Sequence, residues 1–151
     1  MRDGIGTLLR HVLELLDGDV ATVGRDLGLT DYRPRYSPVV RVLVEHGPMS
    51  IRAIAETIGV THSAASQTVA QMSRTGLVTL QPGADARQRI VQLTPKARAL
   101  LPIIETEWAA TVAAMRDLDA ELPAPLADVL LHVVDALERR PFRQRIAEHL
   151  T

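Results

Sequence analysis

The 151-residue chain contains no cysteine and very few aromatic side chains: one Trp, two Tyr and one Phe. The first absence excludes disulfides, thiolate metal sites, cysteine nucleophiles and direct thiol redox sensing. It also fits a reducing compartment. The second means that the core must be built from Leu, Ile, Val and Ala, within a hydrophobic content of 46%. Long apolar runs are missing as well. No uninterrupted stretch reaches membrane-spanning length, and the opening Met1-Arg2-Asp3-Gly4-Ile5-Gly6 lacks the apolar centre of a secretory leader. The expectation is a cytoplasmic protein without a membrane partner. His11, His46, His62, His132 and His149 fall into no HxH or HExxH pattern, so neither a metal nor another cofactor is expected. Phosphate-loop and nucleophile-elbow glycine patterns are absent too, Ser63 and Ser66 have no base close in sequence, and the acid-rich stretch 105–121 reads as a solvated helix face. An enzyme is not expected.

The net charge is only −1, but it is unevenly spread. Residues 48–98 hold six basic side chains (Arg52, Arg74, Arg87, Arg89, Lys96, Arg98) against the acids Glu56 and Asp85, whereas residues 99–138 hold eight acids and one Arg. The first stretch can face phosphate and the second cannot.

Apolar residues mark the elements. Ile5, Leu8, Leu9, Val12, Leu13 and Leu16 have helical spacing, and Asp17-Gly18-Asp19 is expected to end that helix. Residues 20–35 have weak periodicity and read as a short helix or an irregular connection. Ser37-Pro38 is a helix start, with Ser as cap and Pro in first position. The β-branched run that follows also suits a strand, but Glu45-His46-Gly47-Pro48 reads as a helix stop. Ser50 caps the next helix, whose buried stripe is Ile51, Ile54, Ala55 and Ile58. After the turn Gly59-Val60-Thr61, a helix capped by Thr61 runs to about Thr75 with Ala65, Val69 and Met72 inward, and Gly76 closes it. Residues 77–81 and 89–93 alternate as strands around the turn-rich tip 82–88. Thr94-Pro95 starts a long helix, which Pro102 is expected to kink or interrupt. Residues 119–125 break the chain. Leu126, Val129, Leu130, Val133, Val134 and Leu137 form a last amphipathic helix, ended by Pro141 and followed by a short basic tail.

Two short helices joined by a three-residue glycine turn make a helix-turn-helix. Its second helix would turn His62, Ser63, Ser66, Gln67, Ala70 and Gln71 outward, a face without a single acid. Ser and Gln bond base edges or backbone oxygens, and a carboxylate there would repel phosphate. The hairpin that follows carries Arg87 and Arg89 at its tip, where a guanidinium can enter a minor groove; Asp85 is placed to hold Arg87 by a charge-assisted bond.

These residues carry a family resemblance. Ser50-Ile51-Arg52-Ala53-Ile54-Ala55-Glu56-Thr57-Ile58-Gly59-Val60-Thr61 resembles the MarR-family helix that ends in a glycine turn and a Ser or Thr cap. Residues 62–72 resemble its recognition helix, Arg74-Thr75-Gly76-Leu77-Val78 its exit into the wing, and Asp85-Ala86-Arg87-Gln88-Arg89 its wing tip. Leu93-Thr94-Pro95-Lys96-Ala97-Arg98-Ala99-Leu100-Leu101 resembles the junction to the following helix. The resemblance spans about residues 37–101. It implies a mainly α fold with a small β-hairpin wing, a winged helix-turn-helix (37–94) flanked by N-terminal (1–36) and C-terminal (95–151) dimerisation helices. The implied function is sequence-specific binding of double-stranded DNA at a pseudo-palindromic operator by a homodimer, as a repressor that answers to a small-molecule effector.

By the same resemblance, the recognition-helix contacts are Thr61, His62, Ser63, Ala64, Ser66, Gln67 and Gln71; the wing contacts are Asp85, Arg87, Gln88 and Arg89; and Ser50, Arg52 and Arg74 meet the DNA backbone. The dimer interface is assigned to Leu8, Leu9, Val12, Leu16, Leu126, Leu130, Val133 and Leu137. An effector pocket would draw on Trp108, Met115, Tyr32, Tyr36 and His11, although core packing explains the apolar ones equally well. The chain departs from the family pattern at His62 and Gln67, where Arg is frequent, and at Ala86, the usual second basic residue of the wing. Gln67 suits adenine better than guanine. The competing reading is a winged helix used only for dimerisation or protein contact, without DNA binding.

Overall fold

The computed structural model describes residues 4–85 and 87–150. Residues 1–3 of the opening, Ala86 of the wing tip and Thr151 lie outside the described residues. The elements run α1 (Ile5–Asp26), a 3-10 turn (Pro34–Tyr36), α2 (Ser37–His46), β1 (Met49–Ser50), α3 (Ile51–Ile58), α4 (His62–Arg74), β2 (Val78–Pro82), β3 (Arg89–Leu93), α5 (Pro95–Glu121), α6 (Leu126–Arg139) and α7 (Phe142–Ala147). The chain divides into two compact units, Met1–Trp108 and Ala109–Thr151.

In the first unit, β3 is the centre of a three-stranded antiparallel sheet of order β1-β3-β2. Val78 pairs with Leu93 and Leu80 with Val91, while Met49 pairs with Val91 from the other side. The alternation of β3 turns Val91 and Leu93 inward, onto a core that holds Val39, Val40 and Leu43 of α2, Ile54 of α3, and Val69 and Met72 of α4. Of the stripes expected for α3 and α4, Ile54, Ala55, Ala65, Val69 and Met72 are buried, and Ile51 and Ile58 are half-buried against the core.

Several expectations are corrected. Asp17-Gly18-Asp19 does not end α1, which continues to Asp26. A mid-helix glycine costs only about 1 kcal/mol, less than the packing gained as Val20 and Ala21 become half-buried and Gly24 closes on Leu29. The expected irregular connection thus shrinks to residues 27–33 and the 3-10 turn. Ser37 is not a cap: Tyr36 holds that position, and the Ser37 hydroxyl lies 3.0 Å from that of Tyr32. Pro102 does not interrupt α5. It lies on an exposed face, where the carbonyl it strands can turn to water. β1 is a strand that the sequence did not announce, and the basic tail forms α7.

In the second unit, the Leu126 amide donates to Asp119 Oδ1 at 2.9 Å and closes the turn before α6. Arg145 fastens α7 to the end of α6, donating to the carbonyls of Ala136 (2.9 Å) and Arg140 (3.1 Å). Among the described residues of this unit none is buried; Leu130, Val133, Leu137 and Phe142 are exposed, and Leu126 is half-buried. On α1 of the first unit Leu8, Leu9 and Val12 are exposed and Leu16 is half-buried. Among the described residues, no helix is long and apolar enough to cross a membrane.

Candidate nucleic-acid interface

Two capped helices build the site. Ser50 Oγ accepts the Ala53 amide at 3.1 Å and Thr61 Oγ1 accepts the Ala64 amide at 3.1 Å, so both expected caps are formed. Between them Gly59 takes the left-handed conformation (φ 72°, ψ 35°), and the Val60 amide reaches back to the Ala55 carbonyl at 3.0 Å. This closure turns the chain within three residues. Gly76 (φ 73°) ends α4 in the same way, with the Leu77 amide on the Met72 carbonyl at 2.8 Å.

α4 presents His62, Ser63, Ala64 and Gln67 exposed and Ser66 half-buried. The start of α3, the first turns of α4 and the wing tip enclose an open cleft of about 450 Å³. Ser50 and Arg52 line it from α3, His62 and Ser66 from α4, and Asp85, Arg87, Gln88 and Arg89 from the wing. Residues far apart in sequence thus converge on one recess with three guanidiniums and one wing carboxylate.

The side chains are not equally free. Arg52 Nε donates to Glu56 Oε1 at 2.9 Å, and that bond raises the pKa of the guanidinium. Arg52 is therefore held along α3 and partly neutralised. Asp85 does not grip the Arg87 guanidinium as expected. Its Oδ1 accepts the Arg87 backbone amide at 3.1 Å, and the Gln88 amide donates to the Asp85 carbonyl at 2.9 Å. Asp85 shapes the tip as a side-chain-to-backbone turn, which leaves the Arg87 and Arg89 guanidiniums exposed and, among the described residues, without an ion pair.

Six assigned residues do not line the cleft: Thr61, Ser63, Ala64, Gln67, Gln71 and Arg74. Gln67 stands further along the exposed face of α4. Gln71 does not turn fully outward as expected: it is half-buried, and its Oε1 is buried without a hydrogen-bond partner among the described residues. Arg74 occupies the last turn of α4, where its charge complements the helix dipole.

The residues assigned to an effector pocket divide. Tyr36 is buried, and Tyr32 and Trp108 pack against the core. The two tyrosine rings meet edge to face at 5.9 Å, and the Arg41 guanidinium lies 4.5 Å over the Trp108 ring. His11 is exposed, and Met115 belongs to the second unit. What the structure gathers here is a packed aromatic cluster.

Residues 30–89 match the sequence profile described as the MarR family. Solved structures share the fold. The M. tuberculosis transcriptional regulator MOSR in complex with DNA is 21% identical over 92% of this chain and 99% of its own, with a TM-score of 0.72. The PcaV transcriptional regulator from Streptomyces coelicolor in complex with its natural ligand is 18% identical over 91% and 94%, with a TM-score of 0.65. Overoxidized AbfR bound to DNA is 16% identical over 89% and 90%, also at 0.65. No curated protein matches the chain.

Proposed function

We propose that the chain, whose residues 30–89 match the MarR-family profile, is a member of that family and a cytoplasmic, sequence-specific DNA-binding transcription regulator: a homodimeric, ligand-responsive repressor. One observation carries the reading. The acid-free outer face of α4 and the unpaired wing arginines open onto the same cleft. A helix of this size fits a major groove, while guanidiniums beside it neutralise phosphates or enter the minor groove. MOSR and AbfR, which share the fold, are seen with DNA.

The partner is a second copy of this chain. The apolar stripes of α1 and α6 are mostly exposed in the single chain, and the second unit, with no buried residue among those described, has no core of its own. A two-fold dimer sets two recognition helices on half-sites about 34 Å apart, which requires a roughly palindromic operator. The effector is a small molecule, as the natural ligand of PcaV suggests.

The test is a gel-shift titration of DNA from the protein's own promoter against random duplex, across salt concentrations. Preferred binding of the promoter fragment, with affinity that falls steeply as salt rises, is expected from a species of dimeric mass in sedimentation. Absence of both preference and salt slope rejects the reading and leaves a protein-contact module.

A further inference from the structure

Between residues 48 and 98, the stretch that builds the cleft, the chain holds only two acids, Glu56 and Asp85. Asp85 bonds the backbone: its Oδ1 accepts the Arg87 amide and shapes the wing tip. Glu56 bonds a side chain instead. It stands one turn beyond Arg52 on α3, and its Oε1 accepts Arg52 Nε at 2.9 Å. Both side chains are exposed, and an exposed pair of this kind contributes little to the stability of a fold. The consequence of Glu56 lies in what it does to Arg52.

Arg52, Arg87 and Arg89 are the guanidiniums that line the cleft. Among the described residues Arg87 and Arg89 have no ion pair, whereas Arg52 has Glu56. A phosphate that approaches Arg52 meets a cation already bonded to a carboxylate. It must either displace Glu56 or share the guanidinium with a second anion, and both reduce the gain from the contact. Two cleft arginines are thus fully available to phosphate and the third is held back. Phosphate contacts carry no sequence information. Weakening one of them lowers the part of the affinity common to every duplex and leaves the Ser and Gln side chains of α4 as they are.

We propose that Glu56 is a positioning residue that restrains DNA affinity: by holding Arg52 along α3 it withholds one phosphate contact, and so limits binding to any duplex without altering the choice of sequence. This rests on the reading of the cleft as a DNA interface.

The experiment compares wild type, Glu56→Gln, Glu56→Ala, Arg52→Ala and the double variant Arg52→Ala/Glu56→Gln, each titrated with the promoter fragment and with random duplex at several salt concentrations. Both positions are exposed, and unchanged circular dichroism spectra check that the variants are folded. Glu56→Gln keeps an acceptor for Arg52 Nε and removes the charge. It is expected to bind both duplexes about twofold to fivefold more tightly at low salt, with a salt slope steeper by about one and an unchanged ratio of promoter to random affinity. Glu56→Ala should tighten binding in the same way. On the Arg52→Ala background the gain should largely vanish, because the two residues act as a pair. Wild-type affinity and slope in Glu56→Gln overturn the restraint. Weaker binding by Glu56→Ala also overturns it, since the carboxylate would then be orienting Arg52 for its contact. A changed promoter-to-random ratio would put Arg52 on a base edge and reject the proposal. An equal gain with and without Arg52 makes Glu56 a plain repulsive charge and removes the route through Arg52. If the wild type binds neither duplex, the DNA reading itself fails and the restraint falls with it; a wild type that binds with a steep salt slope beside variants that match it sinks the restraint alone.

Discussion

The Thr94 hydroxyl donates to the Gly76 carbonyl at 2.7 Å, across eighteen residues of sequence. The same oxygen accepts the Ala97 amide at 3.1 Å and so caps α5. One side chain thus ties the exit of α4 to the start of α5 and closes the base of the wing. Thr94→Val keeps the shape and removes both bonds, at an expected cost of about 1–2 kcal/mol. Thr94→Ser should recover most of it. Urea midpoints of the three proteins check this; a wild-type midpoint for Thr94→Val would show that the tie contributes nothing.

A second prediction concerns the turn of the helix-turn-helix. A Cβ at Gly59 would meet nothing within 4 Å, so Gly59→Ala is a purely conformational change. At φ 72° the side chain brings a backbone penalty of about 1–2 kcal/mol. Thermal melts should show a lower midpoint without loss of the native fold, and an unchanged melt would contradict the left-handed turn.

Arg87→Ala and Arg89→Ala are each expected to weaken DNA binding across all sequences and to reduce the salt slope by about one. Asp85 fixes the backbone of the tip and leaves both guanidiniums free, so the two losses should be similar. Titrations at several salt concentrations measure both quantities; wild-type affinity in both variants would remove the wing from the interface.

Gln67 should behave differently, because on the proposed function an amide on the exposed face of α4 is placed to bond base edges. Gln67→Ala is expected to cost about 1–3 kcal/mol of discrimination at one position of each half-site while the salt slope stays constant. Selection sequencing of bound DNA tests this, and an identical site profile would refute it.

Burial pushes the Tyr32 phenol up from 10.0 to about 12, with the Glu107 charge adding to the rise, against lowering by the hydrogen bond to Ser37 and by the charge of Arg41. The folded-state value lies above the unfolded one. The contribution to stability is therefore complete below the unfolded value and is lost as pH climbs from there to the folded one. Between roughly pH 9 and pH 12 the wild type should lose more stability than Tyr32→Phe. Parallel losses in urea unfolding would show that the phenol does not titrate with folding.

The helix-turn-helix was legible because its signals are local. Ile54, Ala55 and Ile58 recur at helical spacing, Ser50 and Thr61 are capping residue types, and Gly59 and Gly76 stand where a left-handed residue must end a helix. The cleft was legible only in its parts, since Arg52, His62 and Arg89 meet through tertiary packing. β1 escaped notice because two residues carry no periodicity.

What the order of residues determined alone was the set of elements whose signals lie within one or two turns of chain: caps, stripes, turn glycines and an acid-free outer face on α4. What only the folded chain decided was which groups are spent and which are left over. Helix α1 runs past Gly18 because packing outweighs a local propensity of about 1 kcal/mol. Asp85 bonds the Arg87 backbone rather than its guanidinium, and Lys96 is divided between Asp31 and the end of α4. Partner choice among polar groups depends on distances of a few ångströms between segments remote in sequence, and those distances exist only once the core has closed.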